Sequence, residues 1–386
     1  MLSYRQDGIN SNDMLLSFIL KLTKMKSLNS QYISRLDHIR FFAAFLVVYT
    51  HTYSASGGLN YAGTRNLLER FMLSGNTGVS LFLVLSGFIF TVISNCGKKE
   101  INYSTFIVNR IKRVFPLMIF VTILSMGLYR EIVTFNDFMS LFLFSNVQTS
   151  PIFKSFGQTW TIAVETQFYI IVPFLLMFMN NKGVKYIFFM SLFWVTIRII
   201  LVMTYKDTLG SNPGVNSYYY LTMIGRFDQF LVGMIFGWIY SNFKKYISNF
   251  PTLLFSLLLS FFSIIWMTED GMWSVFGYKQ LIYSYIEAAV WGLVIAAYAS
   301  SNIKIHSIFD RCLSWLGEIS YSQYILHILI LDFVSTNIGF LHFSGNISIN
   351  STINFIILYP IIILFSKARF ELIEKPFLEL RKKYIS

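Results

Sequence analysis

Long apolar runs alternate along the chain with short polar, mostly basic stretches. A helix rises about 1.5 Å per residue, so roughly 20 mostly apolar residues cross the hydrocarbon of a bilayer. Windows of that size fall at about 39–56, 77–95, 114–130, 160–179, 186–204, 220–240, 252–268, 281–300, 315–336 and 352–369. A further apolar piece, Phe138–Val147, is too short to span and reads as interfacial or re-entrant. The pattern predicts an all-α integral membrane protein with about ten transmembrane helices. Residues 1–37 read as a cytoplasmic leader, because the apolar stretch Met14–Leu20 is short and Lys21, Lys24 and Lys26 follow it, unlike a cleavable signal. Residues 38–378 read as the membrane domain and 379–386 as a basic cytoplasmic tail.

Loop charge tests that count. With the first residues on the cytoplasmic side, alternate segments hold 23 Lys and Arg inside against 6 outside. Cytoplasmic loops are rich in Lys and Arg, so the bias supports an even number of spans with both termini cytoplasmic. The same rule accounts for the net charge of +12, which in a soluble protein would point to nucleic acid. Hydrophobic residues make up 55% of the chain and charged ones 13%, about half the share of a soluble domain. Cys96 and Cys312 form no metal-ligand motif and no disulfide framework.

Ionisable residues inside spans are costly and mark candidate sites. His51 lies eleven residues beyond Arg40, about 16 Å along a helix, hence past mid-membrane from the cytoplasmic end. Glu165 lies in the same outer half, where a carboxylate could fix the tautomer of a histidine base; an interfacial or helix-start carboxylate is the alternative. Arg226 and Asp228 lie near the outer end of their span; Arg226, and Arg198 likewise, reads either as snorkelling outward or as binding an acidic partner or a glycan. Gly233 and Gly237 form a small-xxx-small pair suited to close helix approach. His327 falls near mid-membrane after Ser320, Tyr321 and Tyr324, in a structural or a direct role. Arg110 and Arg113, one turn apart, are either plain positive-inside charge or a phosphate clamp.

Five blocks in order then resemble the acyltransferase-3 family of membrane O-acyltransferases. They are RLDHIRFFAAFLVVYTH with Arg40 and His51, GVSLFLVLSGF, the block of Arg110, Arg113 and Pro116, TWTIAVETQFYIIVP with Trp160 and Glu165, and SYSQYILH with Ser320, Tyr321 and His327. The ending FELIEKPF resembles the family's C-terminal signature. The resemblance implies a multi-pass enzyme of the bacterial cytoplasmic (inner) membrane, surrounded by membrane lipid, of the stand-alone form. It implies an acyl-CoA donor, most often acetyl-CoA, no tightly bound cofactor, and a lipid-linked or surface polysaccharide acceptor such as O-antigen, capsule or exopolysaccharide. On that resemblance Arg110 and Arg113, with Arg40, meet the CoA phosphates. His51 acts as general base or accepts the acyl group, and Glu165 orients it or binds acceptor. Arg226, Asp228, Ser320, Tyr321, His327 and Trp160 are substrate-facing or structural. A transporter or flippase for a glycan or lipid is the alternative from another class.

Overall fold

The computed structural model describes Asn29 and residues 32–58, 66–128, 157–209, 221–270 and 278–385. The segment Phe138–Val147 and most of the leader lie outside the described residues. The helices are α1 (Ser34–Ala55), α2 (Leu67–Leu73), α3 (Thr77–Ile93), α4 (Tyr103–Leu128), α5 (Trp160–Lys182), α6 (Val184–Leu209) and α7 (Met223–Ile247). They continue as α8 (Phe250–Glu269), α9 (Tyr278–Ser300), α10 (Ser307–Glu318), α11 (Ser320–Asn337), α12 (Ile347–Arg369) and α13 (Lys375–Glu379). Asparagines start three of them: Asn66, Asn249 and Asn346 each accept a backbone N–H of the first turn. Gly183, at φ +79°, ends α5 in the left-handed region that favours glycine.

Each of the ten apolar windows falls on these helices, with two differences. α4 begins at Tyr103, so Arg110 and Arg113 sit on the helix rather than ahead of it. The window 315–336 is broken at Ile319 (φ −91°, ψ 4°), which separates α10 from α11. Gln323 bridges that break by donating its side-chain amide to the Leu316 carbonyl at 3.1 Å. Among the described residues six helices are long and apolar enough to cross a membrane, in α4, α5, α6, α8, α9 and α12, or seven if α2 and α3, bent by 63°, form one span. α1, α7 and α11 are too polar to meet that test; buried Asp37, His38, Arg226, Asp228, Gln229 and His327 lie on them.

The peripheral helices turn large apolar side chains outward. Phe189 and Phe193 of α6 and Phe255 and Phe262 of α8 are exposed, as lipid-facing residues should be. The interior is closed where α3 crosses α7. A Cβ on Gly87 would strike the Phe230 carbonyl, and one on Gly233 the Val84 carbonyl, so only glycine permits this approach. Gly317 likewise lets α10 lie against the backbone of α1 at Asp37.

Candidate active site

A cavity of about 300 Å³ opens among α1, α3, α4, α5, α10, α11 and residues 378–384. Arg40, Arg110, Arg113, Glu165, Ser320 and Tyr321, separated by up to 281 positions in the chain, all line it. Arg311 and Arg381 add two more guanidiniums. Asp37 is held by Arg40 at 2.5 Å and by the Tyr32 hydroxyl at 2.6 Å. Arg110 is held differently. Its guanidinium lies 5.4 to 5.8 Å from the ring centres of Phe90, Phe106, Tyr169 and Tyr384. Aromatic faces attract a cation without cancelling its charge. Among the described residues no carboxylate lies within ion-pair distance of Arg110 or Arg113. Burial and the like charges of Arg113 and Arg110 lower the Arg381 pKa.

Among the described residues, three donor atoms on cavity-lining residues are buried with no hydrogen-bond partner: Arg110 Nε, Trp315 Nε1 and Tyr321 Oη. The wall beside Arg110 is completed by residues 380–385. Asn109 exchanges hydrogen bonds with the Lys382 backbone at 2.6 and 3.1 Å, Asn102 N–H donates to the Tyr384 carbonyl at 2.9 Å, and Asn29 accepts the Tyr384 N–H at 2.9 Å. A bridge between Ile101 and Ile385 adds to this. Hydropathy and charge give no sign that Tyr384 faces Arg110.

His51 and His327 do not line the cavity but meet each other, with Nδ1 of His51 2.7 Å from Nε2 of His327. Their ring centres are 5.0 Å apart and their planes differ by 6°. At that nitrogen separation, centres so far apart require the two rings to lie edge to edge in one plane, with the bonding nitrogens between them. Tyr324 lines the cavity and its ring centre is 6.0 Å from that of His327, so it neighbours both the cavity and the pair. Glu165 is not brought to His51. Its carboxylate accepts from the Tyr169 hydroxyl at 2.5 Å, one turn along the same helix, and from Ser86 at 3.0 Å. Nearer hydroxyls answer it on the cavity side, and the histidine's orienting partner is another histidine.

Arg226, Asp228 and Trp160 gather elsewhere, and Arg226 and Asp228 bond to different partners. Asp228 takes an ion pair from Arg198 and a hydrogen bond from Ser284 at 3.2 Å. Arg226 lies 5.4 Å from the Trp160 ring centre and bonds Ser80 at 3.2 Å and Gln229 at 3.3 Å. Ser80 and Gln229 in turn donate to Glu287, at 2.8 and 3.3 Å. Glu287 is fully buried. Sequence reasoning passed over it, although a carboxylate in the middle of the window 281–300 is the signal that picked out the others. Two cations and two anions make this cluster neutral.

A second missed pair is Arg369 with Glu374, both buried and both bonded to Ser322. The residues Phe370–Glu374 form a π turn, whose i to i+5 register brings 369 and 374 together. Glu374 lines the cavity and is the second glutamate of the FELIEKPF ending. Among the described residues no group of His, Cys, Asp and Glu has metal-ligand geometry.

These features define a helical membrane protein with an arginine-lined internal cavity next to a bonded histidine pair. Residues 33–367 match the acyltransferase domain model, and the chain belongs to that family, acyltransferase 3. It is similar to a Bacillus subtilis protein provisionally named peptidoglycan O-acetyltransferase YrhL, at 27% identity over 81% of this chain and 51% of the relative. A Staphylococcus aureus protein (strain COL), provisionally named O-acetyltransferase SACOL0978, is 24% identical over 92% of this chain and 58% of its own length. An uncharacterized Haemophilus influenzae protein is 26% identical over 58% of this chain and all of its own length. The chain thus spans little more than half the length of the two named relatives. No solved structure matches.

Proposed function

We propose that this protein is a membrane O-acetyltransferase of the bacterial inner membrane. It takes an acetyl group from cytoplasmic acetyl-CoA and delivers it to a hydroxyl of a cell-surface glycan. The proposal includes ten spans with both termini cytoplasmic, as the loop charges favour. The observation that carries it is the cavity: five guanidiniums line it against four carboxylates, and Arg110 and Arg113 have no carboxylate within ion-pair distance among the described residues, which suits the phosphates of acyl-CoA. Arg110, Arg113 and Arg381 meet the donor's phosphates, and Arg40 and Arg311 flank them. The acylated arm runs past Tyr324 towards the histidine pair. His51 takes the proton of the acceptor hydroxyl as that oxygen attacks the thioester carbon. The carbon–sulfur bond breaks, and the thiolate of CoA receives the proton from His51. Glu165, bonded to Tyr169 and Ser86, acts on the donor side.

Membrane vesicles supplied with acetyl-labelled acetyl-CoA test this reading. Label entering glycan supports it, and His51→Ala should abolish that label while the protein still inserts. Acceptor movement across the vesicle without label would overturn it in favour of a transporter.

A further inference from the structure

One hydrogen bond between two neutral imidazoles needs a proton on one nitrogen and a lone pair on the other. The coplanar rings put that bond between Nδ1 of His51 and Nε2 of His327. On the other side of His327, Nδ1 lies 3.2 Å from the carbonyl oxygen of Gln323. A carbonyl only accepts, so this Nδ1 carries the proton. Nε2 of neutral His327 then holds the lone pair, and Nδ1 of His51 must donate to it. The remaining nitrogen of His51, Nε2, is left with its lone pair free of the dyad.

We infer that His327 is a positioning residue that holds His51 in the Nδ1–H tautomer and so makes Nε2 of His51 the basic atom. The inference rests on the transfer reaction proposed above, in which that atom takes the acceptor's proton. Exposure divides the two rings in the same sense. His327 has no exposed surface, whereas His51 keeps some. Gln323 is itself fixed, since its side chain accepts from the Tyr359 hydroxyl at 2.9 Å and donates to Leu316 across the helix break. The carbonyl that sets the His327 tautomer is therefore held at both ends of its residue.

The choice of partner follows from the surroundings. A carboxylate in place of His327 would leave a net negative charge buried while the base waits for substrate, and such a charge is expensive away from water. Two imidazoles are neutral at rest. When His51 gains the hydroxyl proton, the bond to His327 becomes charge-assisted and strengthens at the moment it is needed.

Full-length protein labelled with 15N-histidine, in lipid nanodiscs, gives a direct readout. Long-range proton–nitrogen correlation separates protonated from lone-pair nitrogens, and the chain's five histidines can be assigned with His51→Gln and His327→Gln. Wild-type His51 should show a protonated Nδ1 and a lone-pair Nε2. His327→Leu should move His51 towards the Nε2–H form and lower kcat about a hundredfold or more with the KM for acetyl-CoA unchanged. His327→Gln, whose amide oxygen can accept from Nδ1, should recover part of both. A wild-type His51 protonated on Nε2, or a tautomer indifferent to His327→Leu, overturns the inference even if acetyl transfer is observed. The expected tautomer without any acetyl transfer to glycan overturns the proposed reaction and leaves the tautomer assignment standing.

Discussion

Two polar regions lie inside this bundle, and they differ in how their charges are answered. Around α7, Arg198 and Arg226 stand against Asp228 and Glu287, and the cluster is neutral in itself. Around the cavity, Arg110 is surrounded by four aromatic rings, and its Nε has no partner. A network that supplies its own counter-charges needs only folding to explain it. A network in which Arg110 and Arg113 have no carboxylate within ion-pair distance among the described residues leaves room for a counter-charge from outside. On the function proposed above, Arg226 and Asp228 serve the fold and the cavity arginines serve the donor.

Removing one member of the neutral cluster should have the largest effect on stability. Asp228→Ala leaves Arg198 buried without its carboxylate and should cost about 3–5 kcal/mol, read as a lower thermal unfolding midpoint of the purified protein. Replacing both partners, Arg198→Met with Asp228→Leu, should recover most of that loss. A tolerated Asp228→Ala with weakened acetyl-CoA binding would break the comparison, because the cluster would then serve the ligand.

The cavity should respond the other way. Arg113→Ala should weaken acetyl-CoA binding roughly tenfold to a hundredfold, the worth of one charge-assisted hydrogen bond, and leave the unfolding midpoint of the empty protein nearly unchanged. Calorimetric titration with acetyl-CoA checks this, and unchanged affinity would remove Arg113 from the donor site. The smallest change expected is at Tyr384. Tyr384→Leu removes one of four rings around Arg110, worth about 0.5–1 kcal/mol, and should weaken acetyl-CoA two- to fivefold. Tyr384→Phe, which keeps the ring, should bind as the wild type does.

Much of the bundle was legible because the bilayer imposes a strong length rule, and all ten apolar windows fall on helices. The break at Ile319 was not, since Gln323 repairs it from within the same apolar stretch. At the site, Arg40, Arg110, Arg113, Glu165, Ser320 and Tyr321 carried a signal through their motifs, and one cavity collects them. Their partners carried less. Hydropathy places His51 and His327 inside the membrane but says nothing of a bond between residues 276 positions apart. Glu165 seemed suited to His51 by depth, but depth ignores azimuth, and a hydroxyl four residues along its own helix lies closer. Arg369 with Glu374 depends on a π turn that helical periodicity of 3.6 does not anticipate.

α3 contributes to both polar regions. Ser80 donates to Glu287 in the neutral cluster, and Ser86 donates to Glu165 at the cavity. Six residues of helix separate them, a rise of about 9 Å. Gly87 and Gly233 seat α3 on α7 without room for a methyl group, so this spacing is referred to one fixed crossing. A slide of α3 along its neighbour would misalign both networks in the same step. The charged cluster and the cavity therefore share one alignment, and a substitution that adjusts one along this helix is felt by the other.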